Sequence, residues 1–233
     1  MKMHAWMVPT AALTVLAPLL GAQTPAVQRA SSCGAGIPYV ELSAHDTVGV
    51  SVNRVTDSTF DSRVRAVAQG AYVHFSGMRD SDGAVRKLHI EIWRAIADSS
   101  GPPSQLANLS VQQHEIVSTV AASTRGVQVQ RDSIVPGTML FMDNEPIFLE
   151  LLQRQVHPAL NDSLRVRWLW LFTGGATEEV TVRRTAPDVI MIDSPQLQFL
   201  LRIAKDGSIA SATSKPRAGR TGGPMTLTRS ECR

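Results

Sequence analysis

Residues 144–158 read NEPIFLELLQRQVHP, and this stretch decides how the rest of the chain is understood. Asp143 or Asn144 can cap a helix here, and Pro146 falls in the first turn, where a missing N–H costs nothing. At 100° per residue, Ile147, Phe148, Leu149, Leu151, Leu152 and Val156 spread over an apolar arc of about 200°. Glu150, Gln153 and Arg154 share the opposite face, with Glu150 four residues ahead of Arg154 in the favourable order. His157-Pro158 stops the helix, because the residue before a proline is pushed out of the α region. A helix over about 145–157 with so wide an apolar arc calls for contact on more than one side, hence a concave seat.

Working outward, the flanks alternate with period two. Before the stretch, Val48, Val50 and Val52 point one way while Thr47, Gly49, Ser51 and Asn53 point the other. Val73, Phe75 and Gly77 form another candidate strand, and Leu88, Ile90 and Ile92 another, joined across Asp80-Ser81-Asp82-Gly83, a hairpin signal. Ile116 to Ala121, Val127 to Val135 and Thr138 to Met142 add three more. After the stretch, Leu164, Val166, Trp168, Trp170 and Phe172 line one strand face. Val189 to Ile192 is apolar on both faces, and Leu197, Phe199, Leu201 and Ile203 alternate up to the Asp206-Gly207 turn. Short strands joined by tight turns, with no helices between them, predict an antiparallel meander. The expected fold is mainly β: one antiparallel curved sheet or incomplete barrel, with the single helix packed in its concave face. A two-sheet sandwich is the alternative architecture.

The chain of 233 residues is 43% hydrophobic and 18% charged, with a net charge of +3. Residues 1–23 have the form of a signal peptide, with Lys2 ahead of an apolar run from Met7 to Leu20 and a small-residue exit at Gly21-Ala22. That run is too short, and too broken by Pro9 and Pro18, for a good membrane span. Residues 24–36 read as a flexible lead-in, 37–212 as one β-rich domain and 213–233 as a basic C-terminal tail. The mature protein is therefore expected to be exported, periplasmic or secreted, without a transmembrane segment. Nothing interleaves aromatic and basic residues as nucleic-acid binding requires.

Two cysteines exist, Cys33 and Cys232. In an oxidising compartment they suggest one disulfide tying the termini together, closing a loop of about 200 residues with a chain-entropy ceiling of roughly 5 kcal/mol. A lipid-anchored Cys33 and two free thiols are the alternatives.

Motifs for chemistry are few. His114-Glu115-Ile116-Val117-Ser118 lacks the second ligand of the zinc-protease helix and alternates like a strand. No nucleophile elbow, Walker loop or dinucleotide fingerprint occurs, so no cofactor, metal or catalytic residue is assigned. His74 and His89 fall on adjacent strands of one hairpin, and with Glu91 they mark where an unrecognised enzyme would keep its polar groups. Asn108-Leu109-Ser110 and Asn161-Asp162-Ser163 fit the glycosylation pattern. The aromatic row is the suggestive feature: Trp168, Trp170 and Phe172, with Phe148 and Leu152 from the helix, would line an apolar pocket or simply form core.

Asp46-Thr47-Val48-Gly49, Asp82-Gly83, Leu151-Leu152 and Asp206-Gly207 together make the chain resemble a group of uncharacterised exported bacterial β-rich proteins. The outline is also similar to the periplasmic lipoprotein-carrier half-barrels. That resemblance implies shielding of acyl chains by the concave face, and it carries over no binding residue. The expected function is a non-enzymatic exported binding or carrier module for an apolar ligand or lipid. The alternative is a structural or interaction protein of the cell envelope with a filled core.

Overall fold

The computed structural model describes residues 36–43, 46–94, 101–112, 114–122, 126–142, 145–171, 177–217 and 224–230, without the side chain of Trp170. The first half is a meander of eight strands: β1 (Ile37–Leu42), β2 (Thr47–Val55), β3 (Thr59–Ala66), β4 (Ala71–Arg79), β5 (Val85–Trp93), β6 (Gln105–Val111), β7 (Glu115–Ala122) and β8 (Gly126–Ser133). Then come β9 (Thr138–Phe141), the helix α1 (Pro146–Gln155) and β10 (Ser163–Trp170). A second meander follows: β11 (Thr177–Ala186), β12 (Val189–Asp193), β13 (Leu197–Ile203), β14 (Ile209–Pro216) and β15 (Met225–Arg229). All fifteen strands belong to one sheet, ordered β8 to β1, then β15 down to β9.

That order explains the curvature. β8 and β9 stand at opposite edges of the sheet, yet only residues 134–137 join them. Five Cα steps span no more than about 18 Å, so the sheet must curl until its two edges nearly meet. It is an open, strongly curved sheet, an incomplete barrel, as the alternation predicts. Fourteen strands pair antiparallel along the two meanders, and the exception is β9, which pairs parallel with β10. A parallel pair needs a crossover, and α1 is that crossover. The helix is thus placed in the hollow by the connection that it makes.

The turns form where their chemistry predicts. At Asp80–Gly83 the Asp80 carboxylate accepts from the Asp82 and Ala84 N–H groups at 3.2 and 2.9 Å, while Gly83 takes a φ of +82°. Gly207 takes a φ of +79° in the second hairpin. Gly77 serves a different need. A Cβ there would meet the Phe60 ring and the Lys87 carbonyl at 2.3 Å, so the bare backbone lets Phe60 lie flat across β4.

One expectation is corrected. Within the stretch expected as a basic tail from residue 213, β14 runs to Pro216, and β15 is inserted between β14 and β1. Met225 and Leu227 alternate correctly but give too short a run to read as a strand by themselves, and β15 is held by partners on both sides. The polar face of α1 is enclosed as well. Every residue from Pro146 to Gln153 is buried, with Glu150 at 0% and Gln153 at 6% exposure. The expected caps Asp143 and Asn144 lie outside the described residues. Glu145 occupies the N-cap position in extended conformation without a side-chain cap, and Val156 closes the helix through its N–H to the Leu152 carbonyl at 2.8 Å.

The signal segment, the lead-in up to residue 35 and both cysteines also lie outside the described residues. Tyr39 pairs with Arg229, and the Ser230 N–H donates to the Pro38 carbonyl at 3.0 Å, so the first and last described strands lie side by side. Among the described residues, no helix is long and apolar enough to cross a membrane.

Candidate functional site

Three places bring chemistry-bearing side chains together. The first is the hollow around α1. On β2 the valine row Val48, Val50 and Val52 is only half-buried, and the row of Gly49, Ser51 and Asn53 faces the interior. This reverses the usual alternation, because the helix presents Glu150 to that strand. Asn53 Nδ2 donates to Glu150 at 3.3 Å, and Ser62 donates to Asn53 Oδ1 at 2.6 Å. Arg154 reaches the other Glu150 oxygen at 3.4 Å. Burial raises the Glu150 pKa, against the opposing pull of Arg154 and Asn53. Tyr39 is fully buried nearby, and burial first, then the Glu150 charge, lifts its phenol far above the ordinary range. These contacts pin α1 to β2 and β3.

At the start of the helix, Glu145 keeps one carboxylate oxygen shut away from solvent and without a partner. Burial, and then repulsion from Glu41, pushes its pKa up to about 8. Glu41 occupies the space left by Gly49, where a Cβ would sit 3.0 Å from Glu41 Oε2. Ser51 Oγ and Gln153 Oε1 are likewise buried without partners. A burial pattern of this kind marks a hollow that is polar on the β2 side and apolar elsewhere.

The second place holds the predicted aromatic row. Trp168 is fully buried, stacked on Phe141 with ring centroids 3.9 Å apart, and it meets Phe199 edge-on at 6.4 Å. Phe148 packs edge-on against Phe75 at 5.6 Å, and Leu152 is 1% exposed. Trp168, Phe148 and Leu152 therefore sit in one core with these rings. The Trp170 side chain and Phe172 lie outside the described residues. A cavity beside Leu149 and Phe199 has a volume of only about 20 Å³, the size of a single water site.

The third place is the outward face of β3 to β6. Register sets His74 opposite Glu91 and diagonal to Asp61. His74 Nδ1 lies 2.9 Å from Glu91 Oε2, and its Nε2 lies 2.6 Å from Asp61 Oδ2. His89 joins the string, 3.6 Å from Glu91 Oε1, with its Nδ1 2.6 Å from Asn108 Oδ1. Sequence reasoning placed His74, His89 and Glu91 on one hairpin, and the structure does bring them together; it missed Asp61, whose partner is reachable only through the β3–β4 register. Partial burial works to raise the Glu91 pKa, but hydrogen bonds from His74 and His89 outweigh it and leave the carboxyl below its ordinary value. Both His74 nitrogens are occupied by carboxylates, which leaves no free ring nitrogen to act on a substrate. Among the described residues no three such groups converge as metal ligands.

Beside this string the outward face hollows into a groove of about 760 Å³. It crosses β2 to β7, with Gly77 in its floor. Arg54, Arg63, Lys87 and His89 line it together with Asp61 and Asn108. Serine and threonine hydroxyls of β3, β4, β6 and β7 line it too, and Met78, Leu88, Leu109 and Val117 supply apolar surface between them. Nothing in the sequence signals it, since each contributing residue reads as the solvated side of an ordinary strand.

No family model matches this chain, and no curated protein matches it. Among solved structures it is similar to a beta-barrel-like protein of the domain of unknown function DUF1849 from Brucella abortus, with a TM-score of 0.45 and 10% identity over 84% of this chain and 95% of that one. It is also similar to a DUF1089 family protein from Pseudomonas aeruginosa, at a TM-score of 0.52 and 9% identity, covering 76% of this chain and 93% of that one. At such identity the likeness to the DUF1089 family protein shows the fold alone.

Proposed function

We propose that this protein is an exported, non-enzymatic binding module whose ligand seat is the outward groove across β2 to β7. One observation carries the reading. The groove offers about 760 Å³ of open space, within the range of roughly 300–1,000 Å³ typical of ligand sites, with polar groups converging on it. Two described members of the aromatic set are engaged in packing: Trp168 has Phe141 stacked against it, and Phe148 has Phe75. A glycan array of neutral and acidic chains, probed with the wild type and with Ser76→Trp, tests the reading. Binding that the bulky substitution abolishes supports it, and an array with no binder overturns it.

A second reading keeps the ligand inside, as an amphiphile held between sheet and helix. The buried Ser51 and Gln153 oxygens without partners favour it, since a polar head could satisfy them while a chain lay against the apolar wall. It requires α1 to shift. Lipid extraction and mass spectrometry of freshly purified protein decide this point: a stoichiometric amphiphile supports the interior seat, and an empty extract removes it.

A further inference from the structure

We infer that the outward groove takes an extended anionic polysaccharide, a proposal that rests on the groove being the ligand seat. The charges come first. Arg54, Arg63 and Lys87 line the groove against a single lining carboxylate, Asp61. That carboxylate is already engaged, by His74 at 2.6 Å and by Arg63 at 3.8 Å. Arg54 and Lys87 are exposed and, among the described residues, have no carboxylate partner. Two unneutralised cations in a concave site focus positive potential on whatever enters.

Length comes next. A groove crossing six strands at about 4.8 Å spacing runs about 24 Å, which suits a chain better than a single ion. Its lining then selects the kind of chain. Asn108 and the hydroxyls of Thr59, Ser76, Ser110 and Thr119 both donate and accept hydrogen bonds, matching an occupant rich in hydroxyls. The aromatic residue in the lining, Phe60, is only 2% exposed, so single-stranded nucleic acid finds no stacking platform. An acidic peptide would also answer the cations, and the poly-glutamate arm of the test below separates it from a polysaccharide.

The cluster beside the groove has a place in this account. His74 engages Asp61, which lines the groove, at 2.6 Å and Glu91 at 2.9 Å. His89, held by Asn108, stands at the boundary between the string and the groove.

The test is affinity electrophoresis and calorimetry on the full chain with four probes: polygalacturonate, neutral dextran, poly-glutamate and long-chain polyphosphate. Lys87→Gln and Arg54→Gln are exposed substitutions that leave the core untouched, and circular dichroism checks that each variant is folded. The expected result is binding to polygalacturonate that weakens with salt and falls about tenfold or more in the double variant. Dextran binding at equal strength, insensitive to both substitutions but lost in Ser76→Trp, overturns the anionic class and leaves the groove reading standing. Equal or stronger binding of poly-glutamate or polyphosphate overturns the polysaccharide assignment. Polygalacturonate binding unchanged in the double variant overturns the site.

Discussion

Raising the pH from 5 to 8 should destabilise this protein, and Glu145 should be the reason. Its carboxyl is pushed up to about 8 from an ordinary 4.5, first by burial and then by Glu41, and its inner oxygen has no partner to hold a charge. In the unfolded chain Glu145 titrates as a normal glutamate. Between the two values the folded state therefore holds a proton that the unfolded state has lost, and stability falls as pH rises. The slope is about 1.4 kcal/mol per pH unit, so three units remove up to about 4 kcal/mol. For a domain of this size that amounts to a drop in Tm of about 10 °C. Glu150, raised by burial, adds in the same direction. Asp206 and Glu91 are lowered, Asp206 chiefly by its hydrogen bonds to Ser208 and Arg229, so their contribution is lost only in acid. Stability should peak near pH 5. Urea unfolding followed by tryptophan fluorescence at pH 5, 6, 7 and 8 measures the effect in the wild type and in Glu145→Gln. The difference between the two curves isolates this residue from every other titrating group. A Glu145→Gln protein whose stability declines as steeply as the wild type refutes the reasoning.

Other outcomes follow from the packing. Gly77→Ala should cost about 1–3 kcal/mol through the Phe60 clash, and Phe60→Leu in the same chain should recover part of it, both read from urea midpoints. Trp168→Ala should cost about 3–5 kcal/mol, since the indole is fully buried against Phe141 and Phe199. Glu150→Ala should cost about 3–5 kcal/mol by stranding the buried Asn53 amide and Arg154, while Glu150→Gln, which keeps an acceptor, should cost less than half of that. Antiparallel pairing of β1 with β15 predicts that Cys33 and Cys232 form a disulfide, so protein purified from an oxidising compartment should bind no alkylating reagent until it is reduced.

The sequence by itself determined the class of the fold. Alternation between Tyr39 and Ile203, the Asp82-Gly83 and Asp206-Gly207 turns and the helix at 146–155 are all local signals, carried by spacing and turn chemistry within a few residues. Period-two patterning also placed His74, His89 and Glu91 on one hairpin, because a hairpin is the shortest long-range contact a chain can make. The tertiary structure alone decided what each face meets. Glu150 and Gln153 look solvent-facing on a helical wheel, yet the curl of the sheet wraps them, and β2 turns its small polar row inward to receive them. β15 is a strand only because β1 and β14 flank it. The groove exists only because six strands, each unremarkable alone, bend together. A linear pattern specifies which residues share a face; it takes the register of every strand to specify what that face is pressed against.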